Sequence, residues 1–139
     1  MIGTMERILR LMAERKASDI YLSAHSPALI RINGSCLPIN AQILPADAPL
    51  NLLAEVVHES RIAELERMGE LNMAIALEGA GNYRISAMRQ RGTYAVVVRH
   101  IASTIPSFAD LNLPDILKTL IMEKRGLILM VGATGAGKT

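Results

Sequence analysis

Aromatic side chains are scarce in this chain: one Phe (Phe108), three Tyr and no Trp in 139 residues. Proteins that bind single-stranded nucleic acid stack bases on such rings, so the composition argues against that class. An excess of one charge is missing too. A formal net charge of +2 is too small to mark a polyanion-binding surface. Cys36 is the single cysteine, which rules out an internal disulfide and a Cys-rich metal site. It lies in an apolar, strand-like stretch, where a small core residue is the expectation, and a reducing cytoplasm fits. No apolar run approaches the roughly 20 residues needed to cross a bilayer. Residues 1–16 are interrupted by Glu6, Arg7, Arg10, Glu14 and Arg15, unlike a signal peptide. His25, His58 and His100 share no metal-like spacing. Neither Glu64 with Glu66 nor Asp19 with Asp47 reads as a paired acid–base site, and solvated helix and cap positions account for them.

What is present is a substantial apolar half, enough for a core. Residues 5–16 place Ile8, Leu9, Leu11 and Met12 on one stripe, which predicts an amphipathic helix; a membrane-surface helix is the alternative. From Ser18 to Ile39 the period changes to that of strands around Ile20, Leu22, Leu29–Ile32 and Cys36–Ile39. Asn33-Gly34 between apolar runs predicts a hairpin. Pro45–Pro49 reads as a loop and helix entry with Asp47 as a candidate N-cap. Helices are expected over 50–57 and 61–68, with a break near Glu59-Ser60. Strands are expected over 73–77, 83–90 and 94–101, with turns at Gly79, Gly81-Asn82 and Gly92. The order defines an α+β domain over residues 1–101. A polar linker, 102–112, follows. Pro114 then opens a short helix carrying Ile116, Leu117, Leu120 and Ile121, which Arg125-Gly126 ends. The eight methionines are expected to fill the core.

The C-terminal segment carries the most specific signal. Leu127-Ile128-Leu129-Met130-Val131 reads as a buried parallel strand. It runs into Gly132-Ala133-Thr134-Gly135-Ala136-Gly137-Lys138-Thr139, a full Walker A phosphate loop. Glycines let backbone N–H groups turn around phosphates, Lys138 supplies charge to the β- and γ-phosphates, and the Thr139 hydroxyl is placed to ligate Mg²⁺. The alternative is a Gly-rich tail. Because the following helix and a metal-holding aspartate do not appear in the 139 residues, the sequence reads as the front part of a nucleotidase, unable to hydrolyse ATP alone and binding it weakly.

A second cluster is basic: Arg84, Arg89, Arg91, Arg99 and His100. Arg84 and Arg99 sit among apolar strand neighbours, where a guanidinium can reach across an interface to phosphate oxygens. The competing reading is an ordinary solvent-facing arginine on the polar side of a strand.

Four stretches together resemble the type IV pilus retraction (twitching-motility) ATPases of the secretion ATPase superfamily. They are Ala17–Ile20 with Leu22-Ser23; Ile30–Gly34; Tyr83–Ala87 through Gln90–Gly92 to Val98–Ile101; and Leu113–Leu117 with Arg125–Leu127 leading into the phosphate loop. The resemblance implies a PAS-like N-terminal domain followed by the first strand and P-loop of a RecA-like α/β ATPase core, here 113–139. It implies a hexameric ring, with nucleotide held between the two domains. Arg84 and Arg99 match arginines that reach nucleotide phosphates, and Lys138 and Thr139 match the Walker A positions. ATP and Mg²⁺ are the implied cofactors. The implied partners are further copies of the chain, an inner-membrane pilus platform protein and a related retraction ATPase, with no nucleic acid. The implied location is cytoplasmic, peripheral to the inner membrane. Gly-Ala-Thr-Gly at the loop leans towards the accessory retraction motor. Tyr21 stands where the family usually has His, and Met88 where it usually has Phe. A fibre-assembling secretion ATPase and a PAS-like interaction module without ATPase activity are the alternatives.

Overall fold

Two kinds of periodicity build the first part of the chain: apolar side chains every second residue in six strands, and an apolar stripe on each of three helices. A computed structural model describes residues 3–101 and 105–133, and the chain divides into two compact units, 1–103 and 104–139.

In the first unit the order is α1 (Thr4–Glu14), β1 (Asp19–Ser23), β2 (Pro27–Ile32), β3 (Ser35–Ile43), α2 (Ala48–Ala54), α3 (Glu59–Met68), β4 (Glu70–Leu77), β5 (Gly81–Gln90) and β6 (Thr93–Ile101). The strands form one antiparallel sheet in the order β3-β2-β1-β6-β5-β4. Two tight hairpins set its register. Asn33 and Gly34 have φ of 49° and 82°, and Arg91 and Gly92 have φ of 47° and 79°. Positive φ at both central residues is the turn whose twist matches the flanking strands.

The core lies on one face of the sheet. Ile20, Leu22, Ile30, Leu71, Tyr83, Ile85, Val96 and Val98 point there and meet Met5, Leu9 and Met12 of α1, Leu52 and Leu53 of α2 and Leu65 of α3. Each such side chain, fully buried, contributes roughly 1.5–3 kcal/mol. Two polar contacts pin α1. The Tyr83 hydroxyl donates to the Leu9 carbonyl at 2.8 Å, and Glu55 Oε2 accepts from the Met5 backbone N–H at 2.7 Å. Tyr83 is fully buried, and burial pushes its pKa above the ordinary tyrosine value, partly countered by Arg10. At α3, His58 rather than Glu59-Ser60 marks the boundary: its ring accepts from the Ser60 N–H at 3.2 Å. Gly69, in the left-handed region, closes the helix with its N–H on the Leu65 carbonyl. Asp47 stands at the head of α2 without capping it; its carboxylate takes the Asn51 side-chain amide instead.

The second unit contains α4 (Ile116–Leu120), preceded by a turn that the Ser107–Asp110 pair closes by reciprocal hydrogen bonds. Those bonds hold the Asp110 carboxyl below its ordinary pKa. The helix ends at Leu120, earlier than Arg125-Gly126.

Three expectations are corrected. Residues 127–131 form no strand and are not buried; Leu127 is 82% and Val131 89% exposed. A parallel strand receives its backbone partners from neighbouring strands, and the described residues of this unit supply none. Cys36 is exposed, because β3 is an edge strand with Cys36 on the face away from the helices. The methionines divide: Met5 and Met12 are buried, whereas Met68, Met88, Met122 and Met130 are exposed.

Candidate functional site

The sheet face away from the helices mixes polar and apolar side chains: Asp19, Arg31, Arg84, Ser86 and Arg99 share it with Tyr21, Leu29, Met88 and Val97. On β5 and β6 the core-facing Tyr83, Ile85, Val96 and Val98 are buried, and Arg84 and Arg99, one residue out of phase, are exposed. The antiparallel register places Arg84 directly opposite Arg99. It extends this into a row crossing every strand: Ala74 opposite Arg84, Arg99 opposite Asp19, Asp19 opposite Arg31, and Arg31 opposite Cys36.

Asp19 is the hub of the row. Its side chain is only 4% exposed, and Oδ1 accepts from Arg99 Nε at 2.9 Å. Oδ2 accepts from the Ser18 hydroxyl at 2.9 Å and lies 3.7 Å from an Arg31 terminal nitrogen. Asp19 is therefore not the solvated helix or cap position expected from the sequence. It is shielded because two arginines and Ser18 close over it, and burial of a carboxylate is tolerable when it is paired and hydrogen-bonded. Arg31 also lies over the Tyr21 ring, 5.3 Å from its centroid. Its pKa is raised further above the ordinary arginine value, first by a side-chain hydrogen bond with Cys36, then by Tyr21.

The two predicted arginines differ. Arg99 is held through Nε only; its terminal nitrogens have no protein partner among the described residues, and its side chain is 66% exposed. Arg84 is exposed and makes no hydrogen bond or ion pair among the described residues. Beside it lies a shallow depression of about 330 Å³ lined by Asn72, Met73, Ala74, Arg84 and Ile101. Like charges directly opposite one another on a sheet are destabilising, so the Arg84–Arg99 pair is a place where an anion would be welcome. Planar guanidinium donors match phosphate oxygens in number and geometry. The residues present thus fit a phosphate group.

A separate groove of about 580 Å³ runs between α1, α2 and the end of β3, lined mainly by apolar side chains such as Ile8, Leu11, Ile39 and Leu52. It shares no residue with the arginine row, and charge rather than volume locates an anion site.

Of the phosphate loop, Gly132 and Ala133 fall among the described residues, in irregular backbone. Thr134, Gly135, Ala136, Gly137, Lys138 and Thr139 lie outside them. Among the described residues no cluster of His, Cys, Asp or Glu could hold a metal ion, and no helix is long and apolar enough to cross a membrane. The sequence reading found Arg84 and Arg99 but missed Asp19 and Arg31. The signal available for them was strand parity: residues 19, 31, 84 and 99 all fall out of phase with apolar neighbours that face the core.

The helix-backed antiparallel sheet matches the N-terminal domain of a pilus retraction ATPase. A crystal structure of the pilus retraction motor PilT with bound ADP superposes with a TM-score of 0.77 at 34% identity, over 99% of this chain and 40% of that one. In sequence the chain is homologous to the type IV pilus ATPases of Pseudomonas aeruginosa and is PilT/PilU-like. It is 37% identical to PilU over 134 residues, or 96% of the chain, and 28% identical to PilT over 132 residues, or 95%. It spans 35% of the length of PilU and 38% of that of PilT. No protein-family model matches the chain.

Proposed function

We propose that this chain is the N-terminal part of a hexameric, ATP-driven motor for type IV pilus retraction. The observation that carries the reading is the register-matched pair of Arg84, without a hydrogen-bond partner among the described residues, and Arg99, whose terminal nitrogens have none there, in a chain 37% identical to a pilus ATPase. In this reading residues 1–101 form the PAS-like domain, 102–112 the linker and 113–139 the start of the RecA-like ATPase core. ATP is held by Gly132–Thr139, with Lys138 on its phosphates and Thr139 on Mg²⁺. Arg84 and Arg99 serve a neighbouring subunit's nucleotide, contributing positive charge to its phosphates in trans. When bound, the nucleotide supplies the driving force; this chain's residues bind and orient its phosphates. The motor works in the cytoplasm against an inner-membrane pilus platform protein, beside a related retraction ATPase.

The test is ATP turnover by a longer polypeptide that continues past Thr139 through the rest of an ATPase core. Lys138→Ala should remove turnover, and Arg84→Ala or Arg99→Ala should lower it by about 10³-fold or more, the scale of a lost arginine finger. The 139 residues alone should show none. Unchanged turnover in Lys138→Ala would end the reading.

A further inference from the structure

We propose that Asp19 is a positioning residue for Arg99: by holding Nε it fixes the guanidinium so that both terminal nitrogens are presented to an anion on the open sheet face. The inference rests on the reading of Arg84 and Arg99 as phosphate-binding residues and extends it to a residue that touches no phosphate itself.

Four observations lead to it. First, Asp19 is buried at 4% side-chain exposure while its partner Arg99 is 66% exposed, so the pair is anchored at the carboxylate end and open at the guanidinium end. Secondly, the contact is made by Nε, the one guanidinium nitrogen that lies on the side-chain stem, at 2.9 Å. A carboxylate that bound the two terminal groups as a fork would consume the donors a phosphate needs; this one leaves them unused. Thirdly, Asp19 is itself fixed, by the Ser18 hydroxyl at 2.9 Å and by β-ladder pairing with both Arg99 and Arg31. A long side chain held at its stem loses less freedom when it meets a ligand, which is how pre-organisation raises affinity. Fourthly, Arg84 stands directly opposite Arg99. One buried carboxylate offsets part of the repulsion in a row that otherwise carries Arg31, Arg84 and Arg99.

A simple charge argument makes the opposite prediction. Removing a negative charge beside an anion site should tighten anion binding. The substitutions Asp19→Asn and Asp19→Ala remove the same charge, but only Asn keeps an oxygen that can accept from Arg99 Nε. The two variants therefore separate orientation from charge.

The experiment is titration of the ¹⁵N-labelled 139-residue chain with inorganic tripolyphosphate at low salt, following the arginine Nε–H resonances by NMR. In the wild-type chain the Arg84 and Arg99 resonances should shift together on titration. Asp19→Asn should bind at least as tightly as wild type. Asp19→Ala should bind about tenfold more weakly than Asp19→Asn, the scale of one charge-assisted hydrogen bond. Its Arg99 Nε–H should also lose its distinct, slowly exchanging signal. Arg99→Lys keeps the charge but cannot be held at a stem nitrogen while offering a terminal pair. It should weaken binding to a similar degree, and it keeps the test open if Asp19→Ala fails to fold. Equal affinity of Asp19→Asn and Asp19→Ala, or wild-type affinity in Arg99→Lys, overturns the positioning role while leaving the phosphate reading intact. Absence of any shift at Arg84 and Arg99 in the wild-type chain overturns the phosphate reading, and the inference with it.

Discussion

The hydroxyl of Tyr83 donates to the carbonyl of Leu9 at 2.8 Å, joining the first part of β5 to the middle of α1 across 74 residues of sequence. The ring is fully buried, so the hydroxyl has no water to fall back on. Tyr83→Phe should lower unfolding stability by about 1 kcal/mol, the net worth of one intramolecular hydrogen bond. Chemical denaturation at neutral pH, with an unchanged denaturant slope, checks it.

The same burial sets a pH dependence. The folded-state pKa of Tyr83 is raised because burial disfavours the phenolate. A raised folded value means that the stabilisation is fully present below the unfolded-state pKa of about 10 and is lost as pH rises through the folded value. Stability should therefore fall steeply above about pH 10, and Tyr83→Phe should make that alkaline limb shallower. An alkaline limb identical in the two proteins would show that other groups control it.

Glu55 caps α1 from outside the helix. Its Oε2 accepts from the Met5 N–H at 2.7 Å, at the positive end of the helix dipole. Glu55→Ala should cost about 1–2 kcal/mol, and the cost should be concentrated in α1. Hydrogen exchange of the first-turn amides of α1 should accelerate well beyond that of β5 and β6.

Gly81 has φ of 115°, and a Cβ there would lie 2.9 Å from His100 Nε2. Strain and collision act together, so Gly81→Ala should destabilise by more than about 1 kcal/mol. The double substitution Gly81→Ala with His100→Ala should recover the steric part and not the backbone part, which a double-mutant cycle reads directly.

The fold was legible wherever local chemistry agreed with tertiary structure. Asn33-Gly34 became the β2–β3 hairpin, and the alternation of Tyr83, Ile85 and Ala87 with Arg84 and Ser86 placed β5 with the right face inward. The apolar run 127–131 misled because a strand is completed by its neighbours, and its own composition cannot supply them. Asp19 misled for a related reason. A carboxylate reads as solvated until the chain brings Arg31 and Arg99 over it from two other strands. Of the candidate site, the two arginines were visible from strand parity, whereas the buried anchor of Arg99 depended on pairing between β1 and β6, 80 residues apart.

Arg84 and Arg99 also carry a cost. Their direct opposition should make the sheet weaker at low ionic strength. Arg84→Gln should raise the thermal midpoint at about 0.01 M salt, and the gain should fade by about 1 M, where the screening length is only about 3 Å. A gain independent of salt would point to packing instead.

The alternation along β6 has a genetic consequence. Val98 and Arg99 are adjacent in the chain yet face opposite sides of the sheet. One codon inserted between Thr93 and Val98 would turn the valine outward and drive the guanidinium into the core. Mutational scanning of this stretch should find single-residue insertions and deletions nearly absent among survivors, even at positions that accept many replacements.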